Sequence, residues 1–483
     1  MSQKYNIANP LFDHVTIRRN RDIYDGLAKK DAIGRYLFKS EAERNGSYAE
    51  RIRRGAYINL AAPVADLFSA VATGDVNRSG VAGIAGLELM LKNCDRMGNS
   101  PDTFFRRVCG QASPIGAHFV LVDMTRTENP AANVREAAEL GLIPYFISIP
   151  AEDLYSWDFD DDGGLSYIIR RGVRHVSSGP LTSFGEIHTR EVWTRTGWQR
   201  LESKNGKDFE LTGEGAHPCG EVPVVPFLFE EGESPMVGLS VFDDVAENII
   251  QLFNCWSEYD KSLSYSSNPM MIVKGIDPDS IQKMIQASDT AIASEKPDMD
   301  AKYVETSGAS FAAKLAQIEA AVKYITNVSL RRTRPDSASA VSAESKREDN
   351  RELVALMRDF AARMQESERK CWQLAGRWIG LPEDVIEGMQ VAYEVRYDSD
   401  EVSEGTIQTL IDLVTGKIFS AEFIRGVLYR TNFIQDKLTP EQRAIPFDSV
   451  EDRAKIENEA RGDSGLSGGV AADVVTRLMG GVR

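Results

Sequence analysis

The 483-residue chain has few of the residues that metal and redox sites draw on: five histidines and five cysteines. Cys94, Cys109, Cys219, Cys255 and Cys371 lie far apart, without a CxxC pair. That pattern predicts reduced thiols in a cytoplasmic compartment, not a disulfide framework. His14, His118, His175, His188 and His217 show no HxxxH or HExxH spacing, and His217 and Cys219 have no second ligand pair nearby. No metal or cofactor is expected. Long apolar runs are missing too. The stretch at 57–73 is broken by Asn59, Pro63 and Asp66, short of the roughly 20 apolar residues that a membrane span needs. The opening MSQKYNIANP has no hydrophobic segment of secretory type. Nucleotide motifs are also lacking. Gly80, Gly83 and Gly86 are spaced GxxGxxG, and Thr415-Gly416-Lys417-Ile418 has neither the upstream glycine nor the hydroxyl of a P-loop. There is no GxSxG elbow. Asp158, Asp160, Asp162 and Gly163 begin like a calcium loop, but loop position 12 is Ile169 where a bidentate Glu is required. The expectation there is an acidic turn between two strands. Positive charge is the minority: 56 Lys+Arg against 72 Asp+Glu give a net charge of −16, which leaves no global field to attract a polyanion.

What is present is ample material for a core, with 42% hydrophobic and 27% charged residues. The length suggests two to four domains. The first half mixes helices and strands. Residues 48–73 predict a helix with basic residues on one side, broken near Pro63. Strands are expected at 116–124 (GAHFVLVDM) and 144–150 (PYFISIP), and on either side of an Asp-rich turn at 160–164. Residues 191–200 alternate like one half-buried strand around Gly197, and 222–229, with Pro223 and Pro226, reads as an edge strand or an extended link.

From about residue 240 the pattern turns helical. Val245, Ile249, Leu252, Trp256, Tyr259 and Leu263 are spaced 4, 3, 4, 3, 4, a seam for lengthwise packing against other helices. Asn268-Pro269 stops it. A strand at 269–275, a small helix at 277–287 and a strand at 302–306 form a short α/β insertion. A second seam follows in Phe311, Leu315, Ile318, Val322 and Ile325. Then come a basic loop with Arg331, Arg332 and Arg334, and a third helix running to about Ile379. That helix carries Lys346 and Arg347 near its start, and Leu353, Met357, Phe360, Met364, Cys371 and Trp378 on one face. A strand at 391–397, two helices within 404–432 and a Gly/Ser-rich end complete the chain.

This order of parts resembles the portal proteins of tailed bacteriophages. The basic stretch YAERIRRGAYIN at 48–59 is similar to a Y-x-x-R-x-x-R-A-x-x-N pattern of one portal subfamily, with Gly55 intruding. GAHFVLVD at 116–123 resembles its glycine-started strand, and PYFISIPAEDLYSW at 144–157 its P-Y-x-x-x-x-A-E-D-I-x-x-W stretch. Asp244, Ala246, Asn248 and Ile249 resemble its D-x-A-x-x-N-I helix, and Pro269 and Gly275 the following P-x-x-x-x-x-G strand. The likeness covers about residues 20–435.

The resemblance implies an α+β, portal-type fold. Its parts would be an α/β wing at 1–240, a stem helix at 241–267, a small α/β clip at 268–310 and a second stem helix at 311–330. A tunnel loop at 331–342, the rest of the wing at 343–400 and crown helices at 401–440 would follow, leaving a tail at 441–483. It implies a non-enzymatic ring, usually a dodecamer, in the virion, assembled in the host cytoplasm. The ring carries double-stranded DNA and meets terminase, head–tail adaptor or neck proteins and the major capsid protein. Arg331, Arg332 and Arg334, with Lys346 and Arg347, would lie near DNA. The residues of the two seams would pack subunit on subunit, and Asp243, Asp244, Glu247, Glu258 and Asp260 would form acidic bands along the channel. Two alternatives stand beside this: another ring-forming head–tail connector, and a multidomain enzyme with a site drawn from scattered Asp, Glu and His residues.

Overall fold

The structure, a computed structural model, describes residues 8–394 except 28–29, 42, 56, 73–74, 126–141, 178, 181, 267–269, 275–299, 305–308 and 330–342. The expected helix at 277–287, the basic loop, the helices within 404–432 and the tail therefore lie outside the described residues.

The N-terminal part is helical: α1 (His14–Tyr24), α2 (Lys30–Tyr36), α3 (Asn45–Arg54) and α4 (Ala61–Ala72). Asp13 caps α1, its carboxylate accepting from the backbone N–H groups of Val15 and Thr16 at 3.0 and 3.1 Å. The helix expected over 48–73 is two helices, and the break falls at 55–60 instead of near Pro63. Asn59 starts α4 by accepting from the N–H groups of Ala61 and Ala62. Pro63 then sits in the first turn, where its missing N–H leaves no helical bond unmade.

A first sheet forms the centre of the core. Its strand β2 (Ala117–Met124) lies between β3 (Pro144–Pro150) and β9 (Val224–Leu228), both antiparallel to it. Strand β9 is an edge strand, as its prolines predict, with Pro226 opposite Phe119. After the short α5 (Ala85–Met90), helix α6 (Pro101–Ile115) packs between α4 and β2, and the long α9 (Ala343–Trp378) crosses the sheet. Leu353, Met357, Phe360, Met364 and Cys371 are buried on one face of α9 as the spacing predicts, and Trp378 donates to the carbonyl of Val122 at 2.9 Å. Rings of Phe68, Phe229 and Phe360 meet at 5.1–6.0 Å in this layer. At the turn into β2, Gly116 has φ +97°, and a Cβ there or at Gly238 would run into the other's backbone. Glycine is required at both by backbone-to-backbone approach.

Strand β1 (Asp75–Ser79), invisible in the sequence, pairs with β14 (Gln390–Glu394) and is pinned to α9 by Glu368. That fully buried carboxylate accepts from Arg78, from Trp372 Nε1 at 3.0 Å and from Tyr393 OH at 2.6 Å. Trp378, at the end of α9, packs on the core of a five-stranded meander of β4 (Leu154–Phe159), β5 (Leu165–Val176), β6 (Gly185–Thr194), β7 (Gly197–Ser203) and β8 (Glu210–Ala216). The Asp-rich turn joins β4 to β5 as expected, with Gly163 at φ +76°. Residues 191–200 are a hairpin, not one strand. The turn at Arg195-Thr196 lets Trp193 face Trp198 across it; both rings are buried, so their alternation looks like that of a single strand. Two short strands, β10 (Glu230–Glu231) and β11 (Gly238–Leu239), follow the meander. All strand pairs among the described residues are antiparallel. The chain is thus α+β.

Candidate functional site: the two-helix stalk

Helix α7 (Ala246–Ser266) leaves this body, the antiparallel pair β12 (Met270–Lys274) and β13 (Asp300–Val304) follows, and α8 (Ala309–Ser329) returns against α7. Each helix has 21 residues, about 32 Å at the α-helical rise. Residues 241–245, expected to be helical, form the capping turn instead. Ser240 N–H donates to Asp243 at 2.7 Å, and Ser240 Oγ accepts from Phe242 N–H while donating to the carbonyl of Pro114.

The capping turn and the first half of α7 are enclosed by their own chain. Val245, Ile249, Leu252 and Phe253 are buried. Phe253 packs with Leu27, Ala32 and Leu37, and meets the Tyr57 ring edge-on at 6.0 Å. Polar groups fix it further. Asn254 accepts from Phe38 N–H at 2.8 Å and donates to the carbonyl of Tyr36 at 2.9 Å. Arg51 of α3 is buried, contrary to the expected basic surface. It bonds Ser257 Oγ at 3.1 Å and the Glu43 carboxylate at 2.8 Å, and Glu43 also takes Lys261 at 2.9 Å. Burial would raise the Glu43 pKa, but the Lys261 hydrogen bond and the Arg51 charge prevail and lower it below 4.5. Tyr48 supports this corner by donating to the carbonyl of Leu37 at 2.9 Å.

Farther along, the enclosure ends. Trp256 and Tyr259 are half-buried, with rings 5.8 Å apart, and Tyr259 meets Phe311 of α8 edge-on at 6.3 Å. Lys314 donates to Ser262 at 3.2 Å. On α8 only Ile318 and Ile325 of the seam are buried; Val322 is half-buried, and Leu315 is exposed. Leu263, Leu315 and Tyr324 are 42%, 39% and 54% exposed, beside exposed Ala312, Ala313, Ala316 and Ala320.

The acids divide. Asp243 is held by Ser240, by Asn20 at 3.0 Å and by Arg19 at 3.6 Å, and Arg19 also reaches Glu247 at 3.1 Å. Asp244, Glu258 and Asp260 are exposed, as is Glu247. Arg331, Arg332 and Arg334 lie outside the described residues. Lys346 and Arg347 fall in the first turns of α9, with side chains outside them. Sequence reasoning missed the anchor of Arg51, Glu43, Asn254 and Ser257. Its one local signal is Tyr48 three residues before Arg51, one helical turn apart on the same face. Among the described residues no cluster of His, Cys, Asp and Glu is arranged to hold a metal, and no helix is long and apolar enough to cross a membrane.

No curated protein matches the chain. Residues 242–379, which run from the start of the stalk through α9, match a family described as a domain of unknown function (DUF4055). Among solved structures the chain is similar to the neck of a native gene transfer agent particle computed with C12 symmetry. That likeness has 12% identity over 83% of this chain and 98% of the other, at TM-score 0.40. It is similar to a chain of the virion of a native gene transfer agent particle, at 12% identity, 79% and 91% coverage and TM-score 0.40. A third is the neck of an empty particle of that kind computed with C6 symmetry, at 14% identity, 82% and 97% coverage and TM-score 0.39.

Proposed function

We propose that the chain is a portal-type subunit: one member of a homo-oligomeric ring, without enzymatic activity, through which double-stranded DNA passes at a capsid vertex of a virion. The observation that carries this reading is the stalk. Its root is buried in its own chain, while its far half leaves Leu263, Leu315 and Tyr324 in water on helices already paired with each other. Apolar surface of that kind is covered when copies stand side by side around an axis.

In this reading 241–267 and 311–330 are the stem and 268–310 is the clip that meets terminase and later the neck adaptors. Residues 1–240 and 343–400 form the wing, with its portal-type fold, and 401–440 the crown beside the capsid protein. Glu247 and Glu258 fall on the side of α7 away from its buried positions, with exposed Asp244 just before them in the capping turn, so a ring repeats them as acidic bands. Negative walls repel the DNA backbone and let a duplex slide. Arg331, Arg332 and Arg334, followed by Lys346 and Arg347, then supply weak phosphate contacts that centre it. The test is electron microscopy of the purified particle. Class averages of a ring with an open centre are expected; a closed dimer overturns the reading.

A further inference from the structure

The five-stranded meander has two open edges, and they differ in kind. At one end lies β8, whose residues are exposed except for half-buried Gly213. It pairs with β7 on one side and, among the described residues, its other side meets no strand. Its sequence ELTGEGA has two acids and no base, and Glu210 stands directly opposite Glu202 of β7. Like charges placed so disfavour the pair unless a cation joins them. Leu211 is 52% exposed. Edges left open in solution are usually guarded by lysine or proline, and β8 has neither. The one irregularity is a register shift next to Thr212, whose hydroxyl bonds back to the carbonyl of Arg200 at 3.3 Å.

The second open edge belongs to β5. Strand β4 pairs with it only as far as Arg170, while β6 continues alongside to Val176. Strand β7 pairs with β6 only from His188 on, so 174–176 form an arm one hairpin wide, and among the described residues no backbone hydrogen bond reaches the outer side of 172–176. The edge carries Arg174 and His175, with Val173 and Val176 51% and 41% exposed and Phe184 70% exposed near the tip. Arg174 makes only an exposed pair with Glu202, the kind worth at most about 1 kcal/mol and readily exchanged.

We infer that 172–176 of one copy adds to the outer edge of β8 in the next copy, so that a single antiparallel or parallel ladder continues from subunit to subunit. The five residues of the arm fit within the seven of β8, and the two edges expose apolar side chains and carry opposite charge. The partner is thus a second copy of this chain, and backbone pairing adds to the affinity that the stalk contacts supply. Because the two edges are different patches, the contact is head-to-tail and closes only as a ring. The inference rests on the ring reading above and adds which surfaces join.

The test uses the full chain with Cys255→Ser, since the other four cysteines are buried. One variant carries Leu211→Cys with Val173→Cys, a second Leu211→Cys with Val176→Cys, and single-cysteine chains serve as controls. Val173 and Val176, three apart, point to opposite faces, so the two variants cover both. Within one chain the edges are three strand spacings apart, about 14 Å, beyond disulfide reach. Assembled particles are oxidised with diamide and run on non-reducing gels. Expected is a ladder of covalent multimers in at least one double variant and in no single one. Intact rings that give only monomer bands in both double variants overturn the inference and leave the ring standing. Absence of rings before oxidation overturns both.

Discussion

The two halves of α7 carry one continuous seam and meet opposite fates. Val245, Ile249, Leu252 and Phe253 are shut inside the chain by α1, α2 and α3, with Asn254, Ser257 and Arg51 as polar ties. Eleven residues after Leu252, Leu263 stands 42% exposed, and Leu315 of α8 is 39% exposed. The same periodicity thus serves folding at one end and, in the proposed ring, association at the other. A seam reports that a face will be covered, not by which chain.

Three tests sharpen or break that contrast. The largest effect is expected at the root. Phe253→Ala opens a cavity and should cost about 3–5 kcal/mol of unfolding free energy. Arg51→Ala leaves the buried Glu43 carboxylate with Lys261 alone and removes the bond to Ser257, and should cost about 1–3 kcal/mol; denaturant unfolding of the dissociated chain measures both. An effect under about 1 kcal/mol would mean that the root is not the anchor.

Next in size is a pH effect. The Glu43 carboxyl lies below its ordinary 4.5 in the folded chain, so folding favours its ionised form. That contribution is complete above pH 4.5 and is lost as pH falls through the lowered folded value. The gap in thermal midpoint between the parent chain and Glu43→Gln should therefore narrow on acidification. A gap constant with pH would sink the ion-pair account.

The smallest effect on folding belongs to the far half. Leu263→Ala and Leu315→Ala should change the stability of the dissociated chain by less than about 0.5 kcal/mol while shifting ring assembly to higher protein concentration. If both destabilised the chain as much as Phe253→Ala, the two halves would be alike and the contrast false.

Much of this was legible from the residues. The strands at 116–124 and 144–150, the edge strand with its prolines, the face of α9 and both stalk helices lie where periodicity puts them. Other features were not legible, for identifiable reasons. Arg51 reads as surface because its partners are Glu43, eight residues back, and Ser257, on a distant helix. Strand β8 has no alternation because both of its faces are largely in water, and Gly213 and Gly215 are there to let the Trp198 ring lie against them. Strand β1 shows no apolar pattern in DVNRS, since its Arg78 is spent on buried Glu368. The acids of α7 were read as one set, whereas Asp243 belongs to the capping turn and is tied to Asn20 and Arg19.

The claim that the far half of the stalk is covered by other copies is tested most directly by the solution mass of one variant, Leu263→Asp with Leu315→Asp, measured by light scattering beside the parent chain. The account predicts a closed ring many times the mass of one chain for the parent and a monomer with unchanged unfolding for the variant. A variant that keeps the parent's ring mass would contradict it.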